Sequence, residues 1–232
     1  MKLVVFGANG ETGRLVTAQA IAEGHTVTAV TRRPEDFPLS DRRLRVTGTD
    51  VLDPAAVERC VTGQEAVIST LGVPFGRNPV TVYSEGITHI TQAMTKHGVR
   101  RLVCVTSTVL FGVPAPGETL FFRKVLEPFI ARTVGRTVYE DMRRMEQIVR
   151  DSDLAWTIIR PAGLFDAEAV SGYQVATSRL PGRFTSRADL ADALLRQATD
   201  APHVRAVLDV RTSEGVPSIL DVIRKEAFGS RK

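Results

Sequence analysis

The sequence predicts an α/β fold built on a doubly wound parallel sheet. Apolar runs of strand length alternate with helix-periodic stretches from the first residues to beyond Thr199. The first run, Leu3-Val4-Val5-Phe6, passes straight into Gly7-Ala8-Asn9-Gly10-Glu11-Thr12-Gly13 and then a periodic stretch, Arg14 to Glu23. No repeat, low-complexity tract or linker interrupts the alternation, so residues 1–232 are expected to form a single domain.

The first strand, turn and helix carry the most chemical information. Gly7 permits the tight turn, and Gly10 lets the backbone approach an anion with no Cβ in the way. Gly13 lets the helix sit close on the strand, and the free N–H groups of the first helical turn point at a pyrophosphate. A glycine triplet alone is weak, but here a strand precedes it and a helix follows. The sequence also predicts that Asn9, Glu11 and Thr12 belong to this phosphate site.

Composition narrows the classes. The chain is 43% hydrophobic and 24% charged, ordinary for a globular protein, with a net charge of +4. The arginine pairs are scattered (Arg32-Arg33, Arg42-Arg43, Arg100-Arg101, Arg143-Arg144); the balance suits an anionic cofactor and does not by itself argue for nucleic acid, so no nucleic-acid partner is expected. No apolar run reaches membrane-spanning length, and the N-terminus does not read as a signal peptide. Cys60 and Cys104 read as small core residues of a reducing compartment, and a cytoplasmic location is expected. His89 and His97 have no ligand partner at matching spacing, so no metal site is predicted.

The elements follow in order. Gly24 ends the first helix, and Val27 to Val30 is the second strand. NAD-specific proteins usually place a carboxylate after this strand, to bond both ribose hydroxyls. Here Thr31-Arg32-Arg33 follows, and a guanidinium can clamp a 2′-phosphate with charge-assisted bonds worth about 1.5–3 kcal/mol. NADPH is therefore the expected cofactor, read first by Arg32 and second by Arg33; the alternative is that either points into water. Leu44 to Thr47 is the third strand, with Asp50 and Val51 just beyond it, where adenine should lie. Asp50 either accepts from the adenine amino group or stabilises its own turn. Asp53 before Pro54 reads as a helix N-cap.

Glu65 to Thr70 is the fourth strand, and Leu71-Gly72 leaves it beside the cofactor. A long helix spans Asn78 to His97. Val99 to Thr106 is the fifth strand, and its carboxyl end, Thr106-Ser107, falls where ligands bind in such sheets. Ser107 either donates to the nicotinamide or the reacting group, or caps its own turn. Residues 111–137 break the rhythm with Pro114, Pro116, Gly117 and Pro128, and hold Phe111, Phe121, Phe122 and Phe129. This insertion and a second at 166–181 read as a small substrate-side lid, the first able to stack on a flat substrate. Val138 to Arg150 is an amphipathic helix with Tyr139 and Arg143 four apart on one face. Tyr139 is a candidate acid or an ordinary helix-surface tyrosine. Leu154 to Arg160 is the sixth strand, Ser186-Arg187-Ala188-Asp189 a capping box, Val204 to Val210 the seventh strand, and Pro217 to Phe228 a last helix.

Three of these stretches carry a family resemblance: Gly7 to Gly13, Ala155-Trp156-Thr157-Ile158-Ile159-Arg160-Pro161, and Ser186-Arg187-Ala188-Asp189-Leu190-Ala191. The chain resembles the atypical short-chain dehydrogenase/reductases with a Rossmann fold, in the NAD(P)H-binding, NmrA-like group. Ser84-Glu85-Gly86, Lys96-His97-Gly98-Val99 and Val105-Thr106-Ser107 are similar to the biliverdin-IXβ/flavin reductase branch. The resemblance implies the pyrophosphate on Gly7 to Gly13, the 2′-phosphate on Arg32, and adenine at Asp50 and Val51. It also implies Leu71-Gly72, Thr106, Pro161 and Ala162 against the cofactor and Ser107 by the nicotinamide. The flavin reductase branch has a histidine where this chain has Ala162, which weakens a tetrapyrrole or flavin assignment. Ordinary short-chain dehydrogenases use Tyr-x-x-x-Lys; here the nearest match is Tyr139-Glu140-Asp141-Met142-Arg143.

The function expected from this reading is NADPH-dependent hydride transfer to a small, flat acceptor such as a flavin or quinone, with a proton from solvent. The alternative is a redox sensor that binds the dinucleotide, turns nothing over and acts through a protein partner. A nucleotide-sugar epimerase or dehydratase fits least, because the chain after Asp166 is short for a sugar domain. No heptad seam is visible, and a monomer or weak dimer is expected.

Overall fold

The computed structural model describes residues 1–74, 76, 78–112, 116 and 135–217. Among these, an eight-stranded sheet has the order β3-β2-β1-β4-β5-β6-β10-β8. Its strands are β1 (Lys2–Phe6), β2 (Thr26–Thr31), β3 (Leu44–Gly48), β4 (Ala66–Ser69), β5 (Arg101–Val105), β6 (Ala155–Pro161), β8 (Tyr173–Ala176) and β10 (Ala206–Thr212). All pairings are parallel except β10 with β8. A short parallel pair, β7 (Gly163–Phe165) and β9 (Phe184–Ser186), stands beside it. This is the doubly wound sheet that the alternation predicts. The segment 166–181, expected to be substrate-side insertion throughout, contributes β8 as an antiparallel edge strand.

Strand alternation sorts the core onto two faces. Val4 and Phe6 of β1 pack with α2 (Pro54–Val61), α3 (Val82–His97) and α4 (Arg136–Asp151). Leu3 and Val5 face α1 (Glu11–Ala22) and α5 (Arg187–Thr199). Both strand faces are covered, which is why the parallel strands read as unbroken apolar runs. Asp53 caps α2 by accepting from Ala55 N and Ala56 N at 3.0 and 3.1 Å. Gly98, at φ 69°, ends α3 in the left-handed conformation. Ser186 Oγ caps α5 by accepting from Asp189 N at 3.0 Å.

Boundaries differ by a turn or less in most places. The first helix begins at Glu11 and not Arg14, so Glu11, Thr12 and Gly13 form its first turn. The helix over Asn78 to His97 begins only at Val82, where the α4 residue Asp141 reaches across to accept from Tyr83 N and Ser84 N at 2.9 and 3.2 Å. The expected insertion at 111–137 lies mostly outside the described residues, Phe121, Phe122 and Phe129 included. So does the expected helix from Pro217 to Phe228, except for Pro217 itself.

The chain reverses direction across the sheet between β1, which is wound outward to β2 and β3, and β4, which starts the other half. In such sheets ligands bind outside the carboxyl ends of the strands at this switch point.

Candidate functional site

An open cleft of about 330 Å³ lies at the switch point. Four strand ends line it: Phe6 to Gly10 without Ala8, Val30 to Arg33, Thr49 to Leu52, and Thr70 to Val73, with Val82 of α3 alongside. Of the expected cofactor residues it brings together Gly7, Asn9, Gly10, Arg32, Arg33, Asp50, Val51, Leu71 and Gly72.

The glycines divide into two kinds. Gly7 adopts φ +77°, and a Cβ there would stand 2.6 Å from the Thr70 carbonyl oxygen. A Cβ on Gly13 would overlap the Gly7 carbonyl and lie 2.8 Å from Ala8 Cα. The fold itself demands these two. Gly10 is ordinary extended backbone, and its Cβ would meet only the Gly7 oxygen at 3.3 Å; a Cβ on Gly72 would meet nothing within 4 Å. Both line the cleft, and neither is held as glycine by a backbone overlap of the kind seen at Gly7 and Gly13. The N-cap of α1 is Gly10, which has no side chain to cap the helix start. An uncapped helix start beside such a glycine fits a dinucleotide pyrophosphate.

Neighbouring side chains hold this turn. Thr70 Oγ1 donates to the Phe6 and Gly7 carbonyls at 3.0 and 3.2 Å. Asn9 Oδ1 accepts from Arg14 Nε and Nη2 at 2.9 and 2.7 Å, which leaves the Asn9 amide N–H groups as donors. Neither Thr70 nor Arg14 is marked by the glycine pattern.

Arg32 is exposed at the rim and pairs with no carboxylate among the described residues. Arg33 is turned aside, with Nε 3.5 Å from Asp36 Oδ2. Asp50 Oδ1 accepts from Leu52 N at 3.0 Å, so one oxygen stabilises the turn as the sequence allowed while the residue still lines the cleft. Val51 is buried, and its carbonyl oxygen lies 2.9 Å from His89 Nδ1 on α3, a histidine serving as a structural tie. Val73 N donates to the buried Tyr83 hydroxyl at 3.2 Å, which fixes the opposite wall. Burial raises the Tyr83 hydroxyl above its ordinary range.

Thr106, Ser107, Pro161, Ala162 and Tyr139 do not line this cleft. Thr106, Ser107, Pro161 and Ala162 occupy the same edge of the sheet, at the ends of β5 and β6, with Thr106 N donating to Ile159 O at 2.9 Å. Ser107 Oγ accepts from Val109 N at 3.3 Å, the turn-capping alternative; its O–H remains able to donate. Ala162 N donates to Thr185 Oγ1 at 3.1 Å.

Tyr139 is not a helix-surface tyrosine. It is buried, whereas Arg143 is exposed. On a helix of 3.6 residues per turn, position 143 is rotated about 40° from 139 and position 146 only about 20°. Here that difference spans the burial boundary, and Glu146 is the inward partner. Glu146 accepts from Thr106 Oγ1 at 2.7 Å and from Arg160 Nε and Nη2 at 2.9 and 2.5 Å. The Arg160 guanidinium also lies 4.5 Å from the centre of the Phe111 ring. Sequence reasoning missed Glu146, which follows Tyr139 by seven positions and precedes the Arg160-Pro161 pair.

The description of one family, NAD(P)H-binding, matches residues 7–201. The chain belongs to this NAD(P)H-binding family. An uncharacterised protein of Mycobacterium tuberculosis (strain ATCC 25618 / H37Rv) is 27% identical over 224 residues, covering 93% of this chain; the chain spans only 21% of that relative's length. The (4-alkanoyl-5-oxo-2,5-dihydrofuran-3-yl)methyl phosphate reductase of Streptomyces griseus is 29% identical over 159 residues, 68% of this chain and 46% of that enzyme. A crystal structure of a short-chain dehydrogenase/reductase from Veillonella parvula, in complex with NADP, superposes with a TM-score of 0.76 at 19% identity, covering 92% and 95% of the two chains. That likeness establishes the shared Rossmann fold.

Proposed function

We propose that this NAD(P)H-binding protein is an NADPH-dependent oxidoreductase passing a hydride to a flat acceptor such as a flavin or a quinone. The observation that carries the reading is the cleft itself. It gathers Gly10 and Gly72 beside a helix start that Gly10 cannot cap with a side chain, and it holds Arg32, which directly follows β2 and pairs with no carboxylate among the described residues. NADPH, when bound, supplies the hydride.

The residues of the chain do the rest. Gly7 to Gly13 receive the pyrophosphate through backbone N–H groups, with Asn9 oriented by Arg14. Arg32 receives the 2′-phosphate, with Arg33 available once it leaves Asp36. Asp50 and Val51 border the adenine, and Leu71-Gly72 the ribose side. Thr106, Ser107, Pro161 and Ala162 flank the nicotinamide, with the Ser107 O–H turned to the acceptor. With Tyr139 buried and Arg143 exposed, this reading invokes no Tyr–Arg acid pair and takes the proton from solvent. The reductase name of the Streptomyces relative supports this class of chemistry.

The same separation of Tyr139 from Arg143 favours a second reading: a redox sensor that binds the dinucleotide for a protein partner. The two readings part on one experiment. NADPH oxidation by the purified protein is followed against FMN, riboflavin and small quinones, with NADH in parallel. Turnover that prefers NADPH is expected; tight NADPH binding without turnover on any acceptor would overturn the reductase and leave the sensor.

A further inference from the structure

Arg187, the first residue of α5, joins two parts of the molecule that the cofactor reading keeps apart. Its Nη2 lies 2.7 Å from Glu11 Oε2, on the first residue of α1, and its Nη1 lies 2.8 Å from Asp166 Oδ1, one residue past β7. The guanidinium is sheltered, with 19% of the side chain exposed, while Glu11 and Asp166 are 72% and 59% exposed. Its backbone is firmly placed. Ser186 Oγ caps α5 around it, and Gln19 Nε2 of α1 donates to the Ala188 carbonyl at 3.1 Å. One sheltered cation thus holds two exposed carboxylates, an arrangement that adds little to stability where the carboxylates face water.

Its position gives it a use. Glu11 directly follows Gly10, which lines the cleft, and is the acidic residue in the first turn of α1. A phosphate held at that helix start would stand beside a carboxylate already engaged by Arg187. Both anions seek the same guanidinium. A phosphate binds it in the stronger, charge-assisted and bidentate way, and the exposed carboxylate can turn to water. A guanidinium has five N–H donors, so Nη1 can keep Asp166 while Nη2 changes partner. Asp166 begins the stretch that runs from β7 to β8.

We infer that Arg187 is a positioning residue for the dinucleotide: it exchanges Glu11 for a phosphate oxygen, keeps Asp166, and so ties residues 163–176 to the loaded cleft. This rests on the dinucleotide half of the proposed function and is independent of the acceptor.

The test measures NADP⁺ affinity by calorimetry, and backbone amide exchange over 163–176 with and without NADP⁺. The proteins are the wild type, Glu11→Gln, Arg187→Gln, Arg187→Lys and the Glu11→Gln/Arg187→Gln double variant. Glu11→Gln should bind several-fold tighter and Arg187→Gln several-fold weaker. The gain from Glu11→Gln should shrink when Arg187 is already gone. NADP⁺ should slow exchange over 163–176 in the wild type, partly in Arg187→Lys, and not in Arg187→Gln.

If Glu11 only repelled the phosphates, its removal would help more, not less, in the absence of Arg187, and that result would overturn the inference. Slowing that persists in Arg187→Gln would do the same. So would a loss of protection in Arg187→Gln that is equal with and without NADP⁺, because it marks a merely structural contact. A wild type that binds no NADP⁺ would overturn this inference together with the dinucleotide reading, whereas binding indifferent to Arg187 overturns this inference alone.

Discussion

Glu146 on α4 receives Arg160 on β6 through two parallel hydrogen bonds, at 2.9 and 2.5 Å, with both side chains nearly excluded from water. Thr106 Oγ1 also donates to Glu146 at 2.7 Å, and Arg150 Nη2 lies 3.4 Å from its Oε2. The pair therefore fixes the last residue before Ser107 and, through Arg160, the ring of Phe111. Breaking it from one side strands a buried charge. Glu146→Ala should lower unfolding free energy by about 3–5 kcal/mol, read from urea denaturation. A loss below 1 kcal/mol would show that water or another residue replaces the carboxylate.

The two kinds of glycine in the first turn predict two kinds of defect. Gly13→Ala forces a methyl against the Gly7 carbonyl and should cost about 1–3 kcal/mol or more of stability. Gly10→Ala meets only a 3.3 Å neighbour and should stay within about 1 kcal/mol of the wild type. Gly10 lines the cleft, so an added methyl should crowd a bound phosphate, and NADP⁺ affinity should fall at least about tenfold, which is 1.4 kcal/mol. Thermal denaturation and calorimetric titration of both variants separate the effects. Equal loss of stability in the two would contradict the division.

Arg32 should carry most of the preference for the phosphorylated cofactor. Removing one charge-assisted contact worth about 1.5–3 kcal/mol predicts that Arg32→Ala weakens NADPH binding roughly 10- to 150-fold. NADH binding should hardly change, and the effect should diminish at high salt because the residue is exposed. Arg33→Ala should have the smaller effect, since Arg33 already faces Asp36.

Tyr83 makes one wall of the cleft pH-dependent. Its hydroxyl is raised above the ordinary value of 10.0, chiefly by burial. A group with a raised pKa contributes stability that is fully present below the unfolded value and is lost as pH rises through the folded value. Stability should therefore be level with respect to this group up to about pH 10 and fall above it, together with the ultraviolet signal of phenolate formation. Tyr83→Phe should remove that alkaline component and cost about 0.5–1.5 kcal/mol through the lost Val73 N–H partner.

The parts legible in the sequence are those encoded within a dozen consecutive residues. Leu3 to Gly13 reveals a buried strand, a turn and a helix start because each has its own periodicity or glycine. Arg32 is legible because it follows directly on a strand end. The Asp53-Pro54 and Ser186-to-Asp189 caps are legible because a cap is a contact over two or three residues. Contacts set by tertiary rotation or long loops are not. Tyr139 and Arg143 share a helix face by spacing, yet the burial boundary of α4 runs between them. Asp141 caps α3 from 57 and 58 positions away. Glu146 on α4 finds Arg160 on β6, and Arg187 on α5 finds Glu11 on α1. β8 is four residues long and paired only on one edge, too short for alternation to announce it.

The cleft at the ends of β1 to β4 is proposed as an NADPH site read by Arg32. Its most direct test is calorimetric titration of the wild-type protein with NADPH and with NADH at one ionic strength. Saturable binding of both is expected, with NADPH tighter by about tenfold or more. Equal affinity for the two, or no binding of either, would contradict it.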